Sequence, residues 1–153
     1  VGHSFGGKWA MFAGCLFDRF AAVAVSDPGI MFDTHPSVNY WEPWYLGWHP
    51  RPWRKRGVVA ADNPARGLYL RLIEQGHKLH ELHALLAPRP FLVSGGAVDP
   101  PERWQALNHL VQINTLLGYE NRVGMTNRPE HAPNPESNAV IYAFFEHFLG
   151  DTD

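Results

Sequence analysis

Short, continuously apolar runs alternate along this chain with segments in which apolar residues recur at helical spacing. The runs at residues 20–25 and 91–94 are apolar almost throughout, which is typical of strands buried on both faces of a parallel sheet. A third strand is predicted at residues 121–126, and helices are predicted at residues 5–17, 66–86, 102–117 and 136–149. The alternation of strand and helix predicts an α/β fold with a mostly parallel sheet flanked by helices.

A long segment between the first two predicted strands interrupts this alternation. We therefore divide the chain into residues 1–28, a core turn, helix and strand; residues 29–88, a cap-like insertion with its own helix; and residues 89–153, the C-terminal core. The insertion carries Trp41, Trp44 and Trp48 among several prolines. Trp side chains offer flat apolar faces that suit stacking on a sugar ring or an aromatic acyl group. These tryptophans are predicted to bind substrate, or alternatively to form a small core within the insertion.

The first residues of the chain carry a motif typical of a catalytic serine. The segment Gly2-His3-Ser4-Phe5-Gly6 matches G-x-S-x-G, and it stands where a strand is predicted to turn sharply into a helix. The two glycines let strand and helix approach closely, so that Ser4 is held at the tip of the turn with its hydroxyl exposed. We predict that Ser4 is the nucleophile and that the backbone N–H of Phe5, at the helix N-terminus, donates to the oxyanion.

A histidine and a carboxylate follow in the chain order expected for such a serine, which is serine, then acid, then histidine. His131 lies in the loop after the last predicted strand, and Asp99 follows the strand before it. Asp27, one strand earlier still, is the alternative acid, although turn chemistry alone accounts for it. Because loops at the carboxyl ends of parallel strands meet at one sheet edge, we predict a triad of Ser4, His131 and Asp99.

In these motifs the chain resembles the α/β-hydrolases, and more narrowly the bacterial carbohydrate esterases related to glucuronoyl and acetyl xylan esterases. The likeness lies in the segment from Gly2 to Lys8, in residues 80–96 and in the loop that contains His131. It implies a serine esterase that hydrolyses a carboxylic ester, either of a small molecule or of a plant cell-wall carbohydrate, through an acyl-enzyme. Lys8 stands where glucuronoyl esterases have a lysine that meets the sugar. Asp27 stands in the loop from which they commonly draw the catalytic acid.

Two residues depart from the glucuronoyl-esterase pattern. Those enzymes usually have an arginine directly after the serine, where this chain has Phe5, and their loop acid is typically a glutamate, where this chain has Asp27. Dienelactone-hydrolase-like and peptidase-like serine hydrolases are therefore alternatives, and so is a catalytically silent binding module with the insertion as its ligand surface. In the α/β-hydrolase order several strands precede the serine turn, so we expect this chain to be the C-terminal part of a larger enzyme and to be inactive by itself.

Composition and charge bear on which classes of partner and cofactor the chain could bind. A formal net charge of -2 over 153 residues gives no electrostatic reason to expect nucleic acid or an anionic membrane as a partner. No apolar run approaches the length of a membrane span. The single Cys15 excludes an intrachain disulfide. His77, His80 and His83 would fan around a helix without converging, so we expect no metal ion and no other cofactor.

Overall fold

The computed structural model describes residues 1–32, 52, 55, 60–64 and 66–150 of the chain. Within these residues, four parallel strands form one sheet in which each strand pairs with the next along the chain. The strands are β1 (Gly2–His3), β2 (Val23–Ser26), β3 (Phe91–Gly95) and β4 (Val123–Asn127). The helices are α1 (Phe5–Leu16), α2 (Gly67–Glu74), α3 (Leu79–Ala84), α4 (Asn108–Leu116) and α5 (Pro135–Leu149), with a 3-10 helix (Pro101–Leu107) directly before α4. The predicted α/β architecture with a parallel sheet is confirmed.

The chain divides into two compact units, Val1–Ile30 with Leu79–Asp153, and Met31–Lys78. The first unit contains the sheet and all of these helices except α2. The second contains α2 and an isolated antiparallel bridge between Ala60 and Asn63. Residues 79–88, which we had placed in the insertion, belong to the first unit and include α3. Trp41, Trp44 and Trp48 lie outside the described residues.

One face of the sheet is covered by α5. Ala24 of β2 and Leu92 of β3 point to this face and pack against Ile141 of α5, with Phe144 and Phe145 partly buried beside them. Helix α5 begins with a capping box in which the Asn134 side chain accepts from the Ser137 amide, which satisfies one amide of the first turn. The helix is thus anchored at its start, close to the loop that follows β4.

The opposite face of the sheet is covered by α1 and α3. Helix α1 approaches β2 so closely that a Cβ atom on Gly14 would lie 2.4 Å from Val23 Cγ2, and only glycine permits that approach. On α3, the fully buried His83 ring lies 5.8 Å from the ring of Phe91. Because burial disfavours its charged form, the pKa of His83 falls to about 4. The neutral ring is therefore part of the core.

The structure departs from the predicted elements where backbone geometry overrides the apolar pattern. The helix predicted at residues 66–86 is broken into α2 and α3, because Gly76 has a φ of 76°, a left-handed conformation that commonly ends a helix. The segment predicted as one helix at residues 102–117 starts as the 3-10 helix. Val140, one of the apolar residues that recur at helical spacing in the helix predicted at residues 136–149, is 40% exposed. Fewer apolar residues of α5 are therefore buried than the sequence pattern predicts.

Candidate active site

Ser4 lies at the sharp turn between β1 and α1. Its φ of 53° and ψ of -120° are values that residues other than glycine rarely adopt. The turn is held by the Ser4 amide, which donates to the Ser26 carbonyl oxygen at 2.8 Å. It requires glycine at position 2, where a Cβ atom would lie 2.1 Å from the Gly6 carbonyl oxygen. The Ser4 hydroxyl makes no capping hydrogen bond to α1. The G-x-S-x-G segment thus forms a strained strand-turn-helix with the serine at its tip.

The register of the sheet brings the carboxyl ends of the strands to one level. Across the four strands, the register aligns His3, Ser26, Ser94 and Thr126 as neighbours. The chain leaves the sheet after these positions, at Ser4 from β1, at Asp27 from β2 and at Arg128 from β4. The side chains considered below therefore share one edge of the sheet, where parallel strands place their functional loops.

His131 and Asp27 form a hydrogen-bonded pair at this edge. His131 Nδ1 lies 2.6 Å from Asp27 Oδ2; the Asp27 side chain is fully buried, whereas that of His131 is 42% exposed. Since a carboxylate only accepts, the proton of the neutral imidazole stands on Nδ1, and Nε2 is the basic nitrogen. Asp27 Oδ1 accepts from the amides of Asp99, at 2.7 Å, and Val98, at 3.1 Å. Backbone amides therefore hold the Asp27 carboxylate in place, and the carboxylate in turn orients the His131 ring.

Asp99 occupies a different position from the one expected. Its carboxylate accepts from the amides of Gly29, at 2.7 Å, and Ile30, at 2.8 Å, and Arg103 Nη1 lies 3.5 Å from Oδ1. Burial raises the pKa of Asp99, although these amide donors and the Arg103 charge oppose the rise. Its hydrogen bonds tie the loop after β2 to the loop after β3.

The structure therefore brings His131 together with Asp27, the alternative acid, and not with Asp99, the acid favoured from the sequence. The physical reason is that the Asp99 carboxylate is taken up by backbone amides of the Asp27 loop. The two loops are reciprocal, because each aspartate accepts amide hydrogens from the loop that carries the other. In the sequence, turn chemistry alone accounts for Asp27, and only the resemblance to glucuronoyl esterases indicates its loop as a source of the acid. No spacing rule indicates the reciprocal contacts of the two aspartates.

The other predicted site residues near Ser4 are Phe5 and Lys8. The Phe5 amide directly follows Ser4 at the N-terminus of α1, and the Phe5 side chain is 37% exposed. Lys8 is only 4% exposed, and its ammonium group donates to the Pro28 carbonyl oxygen. In this arrangement Lys8 ties α1 to the loop after Asp27. Its predicted contact with a sugar stays a prediction.

His3, Ser26 and Arg128 also lie at the site, although the sequence predicts no role for them there. The His3 ring lies 4.6 Å from the His131 ring, centroid to centroid, and its Nδ1 lies 3.1 Å from the Ser26 carbonyl oxygen and 3.3 Å from Ser26 Oγ. Burial lowers the pKa of His3. Arg128 is 5% exposed and donates to the His131 carbonyl oxygen at 2.5 Å. The sequence feature that could have indicated Arg128 is its position three residues before His131.

Among the described residues, the other polar clusters do not form a second centre of this kind. In the described ranges no three His, Cys, Asp or Glu side chains come close enough to hold one metal ion. His80 and His109 form a ring pair with centroids 5.5 Å apart. Burial raises the pKa of the Cys15 thiol to about 12, which leaves it protonated and unreactive in the core. None of the described helices has the length and apolar character that a membrane span requires.

Comparison with solved structures identifies this arrangement of strands and helices. The chain aligns over 97% of its length with a carbohydrate esterase family 15 glucuronoyl esterase from Caldicellulosiruptor kristjansonii, with a TM-score of 0.66 and 23% identity, and covers 42% of that protein. Over 97% of its length it also aligns with the glucuronoyl esterase catalytic domain from Hypocrea jecorina, with a TM-score of 0.64 and 18% identity, and covers 43% of it. A promiscuous esterase of the same family from a marine bacterial metagenome gives a TM-score of 0.66 at 20% identity, with 97% and 41% coverage.

These structural matches show the α/β-hydrolase fold, and the chain spans 41% to 43% of the length of the proteins compared. No protein-family model matches the sequence, and a search of curated proteins found no match.

Proposed function

We propose that this chain supplies the catalytic residues of a serine esterase, with Ser4 as nucleophile, His131 as general base and acid, and Asp27 as the carboxylate that orients the histidine. The observation that carries the proposal is the 2.6 Å hydrogen bond between His131 Nδ1 and Asp27 Oδ2, at the sheet edge where Ser4 holds a strained turn with a φ of 53°. Asp99, the acid favoured from the sequence, supports the Asp27 loop in this assignment.

The geometry supports a two-step acyl transfer. His131 Nε2 takes the proton of the Ser4 hydroxyl while Oγ attacks the carbonyl carbon of the ester, and the Phe5 amide donates to the oxyanion that forms. The dipole of α1, which begins at Phe5, favours the same negative charge. Collapse of this intermediate breaks the bond to the alcohol, which leaves with the proton from His131 Nε2. Asp27 stabilises the imidazolium throughout without taking its proton.

Deacylation repeats these roles with water. His131 Nε2 removes a proton from the water molecule as its oxygen attacks the acyl carbon, and the second oxyanion again faces the Phe5 amide. When the carbonyl re-forms, Ser4 Oγ leaves and regains its proton from His131. The products are a carboxylic acid and the free enzyme, so no redox partner or cofactor enters the balance.

The substrate class we propose is a carbohydrate ester. The solved structures that share this fold include glucuronoyl esterases, and the tryptophans at positions 41, 44 and 48 offer flat surfaces suited to a sugar ring. Lys8 enters this proposal as the residue that ties α1 to the Asp27 loop, because its ammonium group donates to the Pro28 carbonyl.

The nucleophile is tested by labelling the intact protein with a fluorophosphonate probe, which reacts only with an activated serine. Wild-type protein should be labelled and should hydrolyse p-nitrophenyl acetate, whereas Ser4→Ala and His131→Gln should lose both properties. A wild-type protein that folds but resists the probe would instead be the silent binding module. Labelling that survives Ser4→Ala would place the nucleophile elsewhere.

The substrate class is tested by a comparison of two esters. Replacement of Trp41, Trp44 and Trp48 by Ala should raise KM for a glucuronic acid ester and leave KM for p-nitrophenyl acetate nearly unchanged, since only the sugar would stack on them. Equal losses on both substrates, with a lower melting temperature, would show that these residues form a structural core. Faster hydrolysis of lactones or peptides than of sugar esters would favour the dienelactone-hydrolase-like or peptidase-like alternative.

A further inference from the structure

Arg128 is a buried cation at the edge of the sheet that carries the proposed catalytic residues. Its side chain makes six hydrogen bonds, all to neutral oxygen atoms. From Nη1 it donates to the Ser94 carbonyl, Ser94 Oγ and the Gly95 carbonyl at 3.0 to 3.1 Å. From Nη2 and Nε it donates to Ser26 Oγ, at 3.1 Å, and to the carbonyls of His131, at 2.5 Å, and Ala132, at 2.7 Å.

These partners belong to three separate parts of the chain. Ser94 and Gly95 end β3, Ser26 ends β2, and His131 and Ala132 lie in the loop after β4. A guanidinium group can join them because its N–H donors point outward in one plane. Arg128 therefore fixes the backbone of the histidine loop against the ends of two strands.

The absence of a carboxylate partner indicates that this arginine has a specific task. In the described part of the chain no carboxylate oxygen lies within salt-bridge distance of Arg128, although Asp27 is buried at the same sheet edge. Burying an arginine without an opposite charge is costly, and here only hydrogen bonds to dipoles offset that cost. If this position served stability alone, a well-packed apolar side chain would stabilise the core as well as the arginine does.

Arg128 reaches the His131 ring by two routes. The first is the backbone, through the short hydrogen bond to the His131 carbonyl. The second runs through Ser26 Oγ, which accepts from Arg128 and also lies 3.3 Å from His3 Nδ1, and the His3 ring packs on the His131 ring at 4.6 Å. The backbone, the ring face and, through Asp27, the Nδ1 atom of His131 are all fixed.

We propose that Arg128 is a positioning residue for the proposed general base, because its guanidinium group holds the backbone of the His131 loop against the ends of β2 and β3, at the sheet edge where Ser4 lies. This inference rests on the proposed function, since it assigns a task within that triad. It predicts that the fork shape of the side chain matters in addition to its charge. A lysine keeps the charge but offers a single ammonium group that cannot donate in all of these directions.

The test compares Arg128→Lys and Arg128→Met with matched variants of Arg89 in the intact protein. Arg89 also donates to several carbonyls, those of Gly14, Phe17, Phe20 and Leu85, but it does so near the C-terminal end of α1, opposite Ser4. Both sets should lower the melting temperature. Only the Arg128 variants should lower kcat, by about 10²-fold with KM little changed, as expected when a catalytic group is misplaced by about 1 Å. Equal kcat for folded wild type and folded Arg128→Lys overturns the proposal.

Ser26→Ala gives a second measurement in case the Arg128 variants do not fold. It removes the hydroxyl that links Arg128 to His3 and leaves the guanidinium in place. We expect kcat on p-nitrophenyl acetate to fall several-fold while KM stays the same. An unchanged kcat contradicts the proposed coupling, whether or not the Arg128 variants can be purified.

A spectroscopic readout separates failure of this inference from failure of the proposed function. The Nδ1 proton that His131 shares with Asp27 should give a downfield proton resonance that is lost in His131→Gln. In Arg128→Lys this resonance should shift or broaden, and in Arg89→Lys it should stay in place. If wild-type protein neither hydrolyses esters nor reacts with the fluorophosphonate, the proposed function fails, but the resonance still tests the positioning. A resonance that is unaffected by Arg128→Lys overturns the positioning role.

Discussion

The assignment of Asp27 as the triad acid predicts a large and specific effect of Asp27→Asn. The Asp27 carboxylate accepts from three donors: His131 Nδ1 at 2.6 Å on Oδ2, the Asp99 amide at 2.7 Å on Oδ1, and the Val98 amide, which lies 3.1 Å from both oxygens. An asparagine has one oxygen and one NH2 group. The two backbone amides retain their acceptor only if the oxygen faces them, and the NH2 group then faces His131 and donates to Nδ1.

That exchange reverses the tautomer of the histidine. If Nδ1 accepts, the proton of the neutral ring stands on Nε2, and Nε2 can no longer take the Ser4 proton. Loss of the correct tautomer in a serine triad lowers kcat by about 10³- to 10⁴-fold, which corresponds to about 4 to 5 kcal/mol of transition-state stabilisation. The fold should survive, because the exchange preserves the shape of the side chain.

The assay is hydrolysis of p-nitrophenyl acetate by Asp27→Asn and by Asp99→Asn, with the melting temperature measured for each. Asp99 accepts from the Gly29 and Ile30 amides, so Asp99→Asn should cost about 1 to 3 kcal/mol of stability and lower kcat by much less than Asp27→Asn. The reverse ranking of kcat would refute the reasoning and return the catalytic role to Asp99. Comparable moderate losses would mean that the two acids share it.

Three further results are expected. Gly96→Ala should lower kcat by about 10²-fold, because its Cβ atom would lie 2.4 Å from the carbonyl oxygen of Glu130, the residue before His131, and 2.7 Å from Asp27 Oδ2. Gly124→Ala, whose Cβ would meet its nearest neighbour at 3.4 Å, is the control, and equal activity of the two variants would contradict this. The His83 contribution to the free energy of unfolding should fall by about 3 kcal/mol as the pH is lowered from 6.5 to 4, because the pKa of buried His83 is lowered to about 4 and the unfolded chain takes up the proton first. Urea denaturation of His83→Gln should lack this component, and parallel curves for both proteins would disprove it. The chain of 153 residues should self-associate, because Trp9 is 70% exposed in an apolar groove beside edge strand β1; sedimentation as a single monomeric species would refute this.

The parts of the fold that the sequence could predict are those encoded by local patterns. A strand buried on both faces must be apolar along its whole length, so β2 and β3 are visible as runs of apolar residues. The turn at Ser4 is visible because its backbone geometry requires glycine at position 2. The helix break at the left-handed Gly76, between α2 and α3, could not be predicted, because an isolated glycine also occurs within unbroken helices.

The preference for Asp27 over Asp99 in the proposed triad could not be predicted from such local patterns, because it depends on contacts between loops that are distant in sequence. Asp27 and Asp99 each follow a strand that ends at the same edge, and both positions allow a carboxylate to approach His131. What separates them is which backbone amides each carboxylate accepts, and those amides belong to residues about 70 positions away in the chain. The role of Arg128 could not be predicted for the same reason, since its partners lie at the ends of β2 and β3 and in the loop after β4.

The reciprocal contacts of the two aspartates determine how any test of the acid must be read. Because the Asp99 amide donates to Asp27 Oδ1 and the Asp99 carboxylate holds the loop that follows Asp27, every change at Asp99 will disturb Asp27 to some degree. A loss of activity on Asp99 substitution is therefore expected even if Asp99 never acts on His131. The distinguishing quantity is the relation between activity and stability. For Asp99→Asn the loss in kcat should accompany a loss of stability, whereas Asp27→Asn should lose far more activity than its melting temperature would indicate, because only that substitution changes which nitrogen of His131 carries the proton.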